Sequence, residues 1–516
     1  MLSMNIPRRA LFALSIALFA CAAPVRASDD RIHVIVLHTN DVHGQALPRK
    51  ATWLKRDPAP MIGGLPRIAA YVNDVKSEAA KTKDVVLVVD AGDWFQGTPE
   101  GLIDDGAGFV KALAMVGYDA MCVGNHDLDH GIPALKNILA ATKVPAVVAN
   151  LDVKETKKPI EWAPPYRIVE RGGLKIALVG LLTPITPEIT HPDAQTLDFI
   201  DPVLALKGVE KELAGKVDWI LPLTHLGVQS DHDLAKGCPG MPLIVGGHSH
   251  TYLKDGEREG ETRIVQTGSK ASAIGRVDLW FDRATKKCVE TTVKLVDLFD
   301  DSTAANKNAP LEEQCAKLEA QTEEHMKGVV GELTVPAMRE KTLVSGTAGN
   351  LITDALREYT HADVGLVNRG GIRSDLPAGK ITRRDVFEIM PFDNNVTVIK
   401  MSGAELLSMM KNAVEGKSHS GIEVSGVTIQ VAIDGGGERR VTGLIVGSSK
   451  VDPAKEYRVA MNSFMADGGD AFITKVPAGP KRVDDVMLMR DVLEEFITRK
   501  GKVTPSNENR FSVTKS

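Results

Sequence analysis

Five times an apolar run ends in a sharp turn that is followed at once by metal-ligand side chains. The first run, Ile32-His33-Val34-Ile35-Val36-Leu37, reads as a buried strand and leads into His38-Thr39-Asn40-Asp41-Val42-His43-Gly44. The others end in Gly92-Asp93, Gly124-Asn125-His126-Asp127, Thr224-His225 and Gly246-Gly247-His248-Ser249-His250. An Asp-x-His pair or a lone Gly-Asn-His-Asp is by itself usually a turn with solvated side chains. Five such stretches at strand ends are not, because in α/β folds the loops at the carboxyl ends of strands gather at one edge and bind ligands there. The repetition requires a sheet that brings these loops together.

The rest of this part of the chain supplies such a sheet. Strand patterns at 32–37, 85–90, 120–123, 146–149, 175–180, 218–223, 243–245 and 263–267 alternate with helical periodicity at 65–80, 106–117 and 202–214. Alternation of this kind predicts α/β layers with helices covering a mixed sheet. At 516 residues the chain exceeds one ordinary core, so at least two domains are expected. A charged, thinly apolar stretch from 306 to 335 reads as an amphipathic linker helix, the alternative being a surface helix of the first domain. The expected organisation is a catalytic domain at 28–305, the linker at 306–335 and a second domain at 336–516. Within the second domain 347–359, 402–415 and 484–499 read as helices, and 362–367, 396–400, 422–432 and 456–461 as strands.

Residues 1–27 are set apart. Arg8 and Arg9 precede an apolar run too short to anchor a protein in a bilayer, and Val25-Arg26-Ala27 fits a cleavage site, the pattern of a signal peptide. The paired arginines admit twin-arginine export. Cys21 loosely fits a lipoprotein box, but Phe19 stands where a small residue is usual, which disfavours lipid anchoring. A periplasmic or secreted location follows, and no later run is long enough to span a membrane. Four cysteines remain after cleavage, Cys122, Cys238, Cys288 and Cys315, and they allow three pairings. Cys122 reads as a buried thiol, and Cys238 with Cys288 as a candidate bridge. A net charge of -5 gives no basic footprint for a nucleic-acid partner. Oligomeric state is not encoded in these patterns.

Asp, His and Asn are the ligands of hydrolytic divalent metals. Asp41 and His43, completed by His250, suit one ion; Asn125, His225 and His248 suit a second; Asp93 suits the bridge between them. Two ions about 3.5–4 Å apart activate water and clamp a phosphoryl oxygen. Imidazole with carboxylate selects zinc, manganese, cobalt or iron over calcium. The set resembles the calcineurin-like metallophosphoesterases, and His-Thr-Asn-Asp-x-His-Gly with Gly-His-Ser-His is similar to the exported 5'-nucleotidase family. That resemblance spans residues 31–516. It implies a four-layer α/β/β/α sandwich followed by a C-terminal α/β substrate-binding domain, and it implies the ligand assignment above. It also implies that His126, oriented by Asp129, faces the scissile phosphate and stabilises the charge that develops there. Some members carry Gln or Asn at the position of His250, which bears on metal preference.

In the second domain Asn368-Arg369-Gly370-Gly371-Ile372-Arg373 lets backbone approach a ligand between two arginines, and arginine matches phosphate bidentately. Phe392 and Phe464 lie in turns where they can sandwich a flat base. The resemblance supports that sandwich. It implies that Asp470 binds the ribose hydroxyls, Asn368 and the Gly371 backbone line the base neighbourhood, and Arg373 holds phosphate. One departure stands out: Thr342 occupies a position where the family carries an arginine, and Arg339 is only near another. Arg369 is the expected substitute. The implied activity is hydrolysis of nucleoside 5'-monophosphates, with UDP-sugars and nucleoside di- and triphosphates as further substrates. The alternatives are a 2',3'-cyclic nucleotide phosphodiesterase with 3'-nucleotidase activity and a non-catalytic binding protein on the same scaffold. A relative that hydrolyses thiosulfate esters has no use for two stacking aromatics.

Overall fold

A computed structural model describes residues 30–51, 54, 58–299, 307–416, 418–473 and 481–515. The expected leader, Cys21 included, and the expected domain boundary at 305/306 lie outside the described residues.

Strand Arg31–Thr39 shows how the first domain is layered. Its neighbours in a six-stranded sheet are Val85–Asp90, parallel, and Ala273–Asp282, antiparallel. Successive side chains point to opposite faces. Ile32, Val34 and Val36 pack with Leu87 and Val89 against Ile176, Leu178, Leu221 and Leu223 of a second six-stranded sheet. Ile35 and Leu37 pack on the other side, against helices Leu65–Thr82, Ala107–Ala114 and Gly131–Thr142. The outer face of the second sheet, with Ala177, Val179 and Leu181, is covered by helices Pro202–Leu213 and Val228–Gly237. The result is the four-layer α/β/β/α sandwich. Each helix contributes one apolar stripe; Leu65, Ile68, Ala69, Val72, Val75 and Ala79 are the stripe of the first. Burying a side chain such as Ile68 or Val72 contributes about 1.5–3 kcal/mol.

Parallel order in both sheets sends five ligand-bearing loops to one rim. The strands concerned are Arg31–Thr39, Val85–Asp90, Ala120–Cys122, Trp219–His225 and Leu243–Gly246. The antiparallel strands Ala273–Asp282 and, at the sheet edge, Cys288–Asp297 were not part of the expected pattern.

Helix Ala309–Met326 starts at Asn308, whose side chain accepts from the Leu311 amide, and buries Leu311, Cys315 and Leu318 in the core of the first domain. The next strand, Val329–Leu333, pairs with Gly379–Thr382 and Lys502–Val503 of the second domain. That domain also holds a five-stranded sheet in the order Ile422–Ser425, Val364–Asn368, Glu456–Asn462, Asn395–Ser402, Arg482–Leu488. The expected strand 422–432 is two strands, divided at Gly426, and they enter different sheets. The expected helix 484–499 begins only at Met489, because Arg482–Leu488 is drawn into an edge strand by pairing with Asn395–Ser402.

The expected bridge between Cys238 and Cys288 does not form, and all four described cysteines are free. Cys238 lies in the core outside the second sheet, while Cys288 borders the core between the sheets, so a sheet separates them. Cys122 is the buried thiol expected.

The two domains are tied across the rim. Arg384 donates to both carboxylate oxygens of buried Glu100 at 2.8 and 2.6 Å, and Thr322 donates to the same carboxylate at 2.5 Å. Gln96 donates to the Pro391 carbonyl at 3.1 Å, and His419 pairs with Glu188 at 2.7 Å.

Candidate metal centre and its surroundings

The loops at the rim run side by side. Asp41 N–H donates to the Gly92 carbonyl, His43 to Asp93 and Gly44 to Trp94, at 2.9, 3.0 and 2.8 Å. Asp41, His43, Asp93, His248 and His250 all hold left-handed backbone, with φ between 49° and 75°. Such conformations cost about 1–3 kcal/mol each and persist where the surroundings enforce them. Gly92, at φ 96°, is enforced differently: a Cβ there would stand 2.7 Å from His225 Nδ1 and 2.8 Å from Gly124 N.

Ligand atoms of Asp41, His43, Asp93 and His250 all lie within 4.8 Å of one another. His43 Nε2 is 2.9 Å from His250 Nε2, and His250 Nε2 is 3.1 Å from Asp41 Oδ1. The other expected ligands adjoin this group through Asp93. His225 Nε2 is 3.1 Å from Asp93 Oδ2 and 3.2 Å from Asn125 Oδ1, and His248 Nδ1 is 2.9 Å from Asn125 Oδ1.

The outer hydrogen bonds set which nitrogen faces inward. His43 Nδ1 donates to the Gln96 carbonyl at 2.8 Å, and His225 Nδ1 to the Ala91 carbonyl at 2.7 Å. Each ring, when neutral, turns the Nε2 lone pair to the cluster, as metal-ligating histidines do. Lone pairs and carboxylate oxygens therefore converge on one small region. The titration of the site reflects this. Burial holds His43 well below the ordinary histidine range, aided by the His250 and Arg373 charges. Burial also holds His248 down, to about 3, aided by the His225 charge. His225 is pushed up to about 10, because Asp93 and Asp41 outweigh its burial. Asp41 is held at about 2 against its burial by His250 and His225. Asp93 is held low, against its burial, chiefly by His225. A buried set of histidines and carboxylates that can be neutralised only by proton or cation fits a divalent metal, whose binding displaces such protons.

Beside the cluster, His126 Nδ1 donates to Asp129 Oδ2 at 2.7 Å, and Asp129 Oδ1 accepts from Thr190 Oγ1 at 2.8 Å. Burial alone would lower His126, but the Asp129 and Asp93 charges raise it. Its ring stacks on Phe392 with centroids 5.2 Å apart. Arg373 Nη2 lies 3.2 Å from His43 Nε2, and its guanidinium sits 5.6 Å from the Phe392 ring centre. Arg373 and Phe392 of the second domain therefore touch His43 and His126 of the first.

Farther out, Asp470 Oδ2 accepts from Asn368 Nδ2 at 2.7 Å and from Ser420 Oγ at 2.6 Å, and Asn462 donates to Asn368 Oδ1 at 2.9 Å. Burial raises Asp470 despite these donors. Gly371 closes the turn that follows Asn368. The Phe464 ring lies flat against Gly469, where a Cβ would approach it to 2.5 Å.

Arg369 is placed differently from the phosphate role expected of it. Its guanidinium pairs with buried Glu423 at 2.8 Å, donates to the Thr342 and Val344 carbonyls, and sits over Phe511. Sequence reasoning passed over two residues. Asp127 is buried, and its carboxylate accepts from the backbone N–H groups of Gly124, Trp94 and Asp93 at 2.7, 2.8 and 3.1 Å. It ties two ligand loops together, and its place inside Gly-Asn-His-Asp was the available signal. Lys270 is the other. Its N–H donates to the Asp41 carbonyl at 2.7 Å, and a lone lysine in a Gly-Ser-Lys turn gives no such signal.

Residues 35–252 match the family model for calcineurin-like phosphoesterases, and residues 329–476 the model for the 5'-nucleotidase C-terminal domain. The chain is 29% identical over 559 residues to Protein UshA of Salmonella pullorum, covering 97% of this chain and 98% of that one. It is 26% identical over 553 residues to a 5'-nucleotidase of Vibrio cholerae, covering 97% and 96%. The crystal structure of a 5'-nucleotidase precursor from Thermus thermophilus is similar with a TM-score of 0.82 at 28% identity, over 93% of this chain and 99% of that one.

Proposed function

Because the chain belongs to the 5'-nucleotidase family of calcineurin-like phosphoesterases, which makes it a phosphoric monoester hydrolase, we propose that it releases orthophosphate from nucleoside 5'-monophosphates at a pair of divalent cations. One observation carries the reading: Arg373 and Phe392, a phosphate-type and a base-type group of the second domain, abut His43 and His126 beside the ligand cluster. Asp41, His43, Asp93 and His250 would hold one cation, and Asp93, Asn125, His225 and His248 the other. Zinc, manganese, cobalt or iron bound there would supply positive charge to a phosphoryl oxygen and lower the pKa of the attacking water.

The chain's own groups do the rest. Arg373 binds the phosphoryl group. His126, its proton favoured by Asp129 and Asp93, neutralises charge on the phosphate and delivers a proton toward the departing O5'. Asp129, braced by Thr190, fixes the ring. Phe392 and Phe464 stack the base. Asp470 Oδ2 is occupied by Asn368 and Ser420, which leaves Oδ1 for the ribose hydroxyls. UDP-sugars and nucleoside di- and triphosphates are further substrates in this reading. The leader sends the protein to the periplasm or beyond; among the described residues no helix is long and apolar enough to cross a membrane.

The test is phosphate release from AMP, UMP, ADP, ATP, UDP-glucose and 2',3'-cyclic AMP, before chelation, after it, and after metal add-back. AMP or UMP hydrolysis that disappears on chelation and returns with manganese, zinc or cobalt is the expected result. Hydrolysis of the cyclic nucleotide in preference to AMP would replace the reading with a cyclic phosphodiesterase. No hydrolysis under any metal would replace it with a binding protein.

A further inference from the structure

We propose that Gln96 is a positioning residue of this site: it seats the turn that carries Phe392, so that a base held by the second domain stands in register with the ligands of the first. This rests on the proposed function in one respect, that Phe392 stacks the base. Gln96 is 3% exposed and lies in the loop that follows Asp93. That loop is fastened to the first ligand loop. The Gln96 carbonyl accepts from His43 Nδ1 at 2.8 Å, Gly44 N–H donates to the Trp94 carbonyl at 2.8 Å, and Thr98 Oγ1 donates to the Gly44 carbonyl at 2.6 Å. Gly97, at φ 146°, permits the close approach, since a Cβ there would stand 2.8 Å from the His43 carbonyl oxygen.

From this fixed backbone the Gln96 side chain crosses to the second domain. Nε2 donates to the Pro391 carbonyl at 3.1 Å, and Oε1 is buried with no hydrogen-bond partner among the described residues. An unmet buried acceptor costs free energy that an apolar side chain of the same size avoids. Packing alone therefore does not account for an amide here, and its one donation does. That donation lands on the residue before Phe392, whose ring stacks on His126 at 5.2 Å and carries the Arg373 guanidinium at 5.6 Å. The other flank of the turn is held by Arg490, which donates to the Phe392 carbonyl at 3.4 Å and pairs with Asp393 at 2.5 Å. Arg490 belongs to the same domain as the turn and moves with it; Gln96 belongs to the other. One residue thus holds His43 with its main chain and the base-side turn with its side chain. Removing the amide leaves His43 in place and frees the ring.

Gln96→Met keeps the volume and removes the donor, and Gln96→Asn keeps the amide and loses its reach. Both are compared with the wild-type holoenzyme, alone and combined with Phe392→Ala. The readouts are KM for AMP, the competitive inhibition constant of orthophosphate, and metal content. Each Gln96 variant is expected to raise KM for AMP about 3- to 10-fold, the effect of one lost neutral hydrogen bond. The orthophosphate constant and the metal content stay at their wild-type values. Combined with Phe392→Ala the same substitutions add almost nothing, because the turn no longer carries the ring. An unchanged KM in either variant overturns the proposal. So does a loss equal for AMP and orthophosphate, or one that adds in full to Phe392→Ala, because Gln96 is then packing for the whole centre. Loss of metal also overturns it, because the side chain then serves His43. A wild type that hydrolyses p-nitrophenyl phosphate but not AMP overturns the proposed function, and the role of Gln96 falls with it. A wild type that hydrolyses AMP with a KM indifferent to Gln96 removes the role of Gln96 alone.

Discussion

The two halves of the candidate site are built in opposite ways. On the first domain Asp41, His43, Asp93, Asn125 and His225 are almost fully buried and His248 and His250 partly so, their loops are locked by backbone hydrogen bonds, and most hold left-handed backbone. On the second domain the polar groups satisfy one another in a chain from Asn462 through Asn368 to Asp470 and Ser420, while Phe392 and Phe464 stand half-exposed. The ligand carboxylates Asp41 and Asp93 are held low by histidines, whereas burial raises Asp470 and Glu423 of the second domain, Glu423 to about 7, and also the loop-tying Asp127 of the first. The difference follows from the work. Charge must be met at fixed points when phosphorus is attacked, whereas a base can be held by faces that give a little.

The largest test of this contrast is Asp127→Ala. It leaves the N–H groups of Gly124, Trp94 and Asp93 without their acceptor in a buried place. Each such loss costs about 1–3 kcal/mol, so a total above about 3 kcal/mol is expected in urea denaturation, together with loss of bound metal. Ser420→Ala is the counterpart on the other half. It removes one donor to Asp470 and should cost about 1 kcal/mol with metal content intact. Equal effects from the two substitutions would erase the distinction between a rigid and a yielding half.

Next in size is the pair of rings. Phe464→Ala should raise KM for AMP by about 5- to 50-fold, since base–aromatic stacking is worth about 1–3 kcal/mol. An aryl phosphate that does not reach Gly469 should be turned over within about threefold of the wild-type rate. Phe392→Ala should weaken AMP comparably and also slow the aryl phosphate, because this ring touches His126 and Arg373. Were Phe464→Ala to slow both substrates alike, the ring would belong to the core it borders and not to recognition.

How much of this was legible in the sequence depended on whether the information was local. Strand-end loops are local: an apolar run, a turn and an Asp or His announce themselves, and the alternation around them announces the layers. Edge strands such as Arg482–Leu488 do not, because they exist by pairing with distant partners, and Val486 is 92% exposed within one. Arg369 looked free for phosphate because nothing in Asn-Arg-Gly-Gly reveals that Glu423 and two carbonyls wait across the fold. Asp127 sat inside a motif already marked for its neighbours, and only the backbone donors around it reveal its task.

The smallest test sets two histidines of the same domain against each other. His225 lies fully buried between Asp93 and Asp41, with Nδ1 committed to a carbonyl and Nε2 turned inward. His33 also lies between two aspartates, with Nδ1 3.2 Å from Asp84 and Nε2 2.9 Å from Asp278, but it is half-exposed. Both of its nitrogens face carboxylates, so the protonated ring can donate to both. The bond to Asp278 raises its pKa above the ordinary 6.5, and the Asp84 contact adds to this against partial burial. A histidine raised on folding stabilises the protein fully below its unfolded pKa, and the contribution is lost as pH climbs through the folded value. His33→Gln should therefore be less stable than wild type by up to about 1 kcal/mol at pH below about 6. The gap should close as pH rises above the folded value. Thermal denaturation across pH 5–9 measures it, under salt held constant because exposed pairs are screened. A gap that widened with rising pH would mean that His33 works as a neutral ring stacked on Trp280, at 4.7 Å, and that its aspartates contribute nothing.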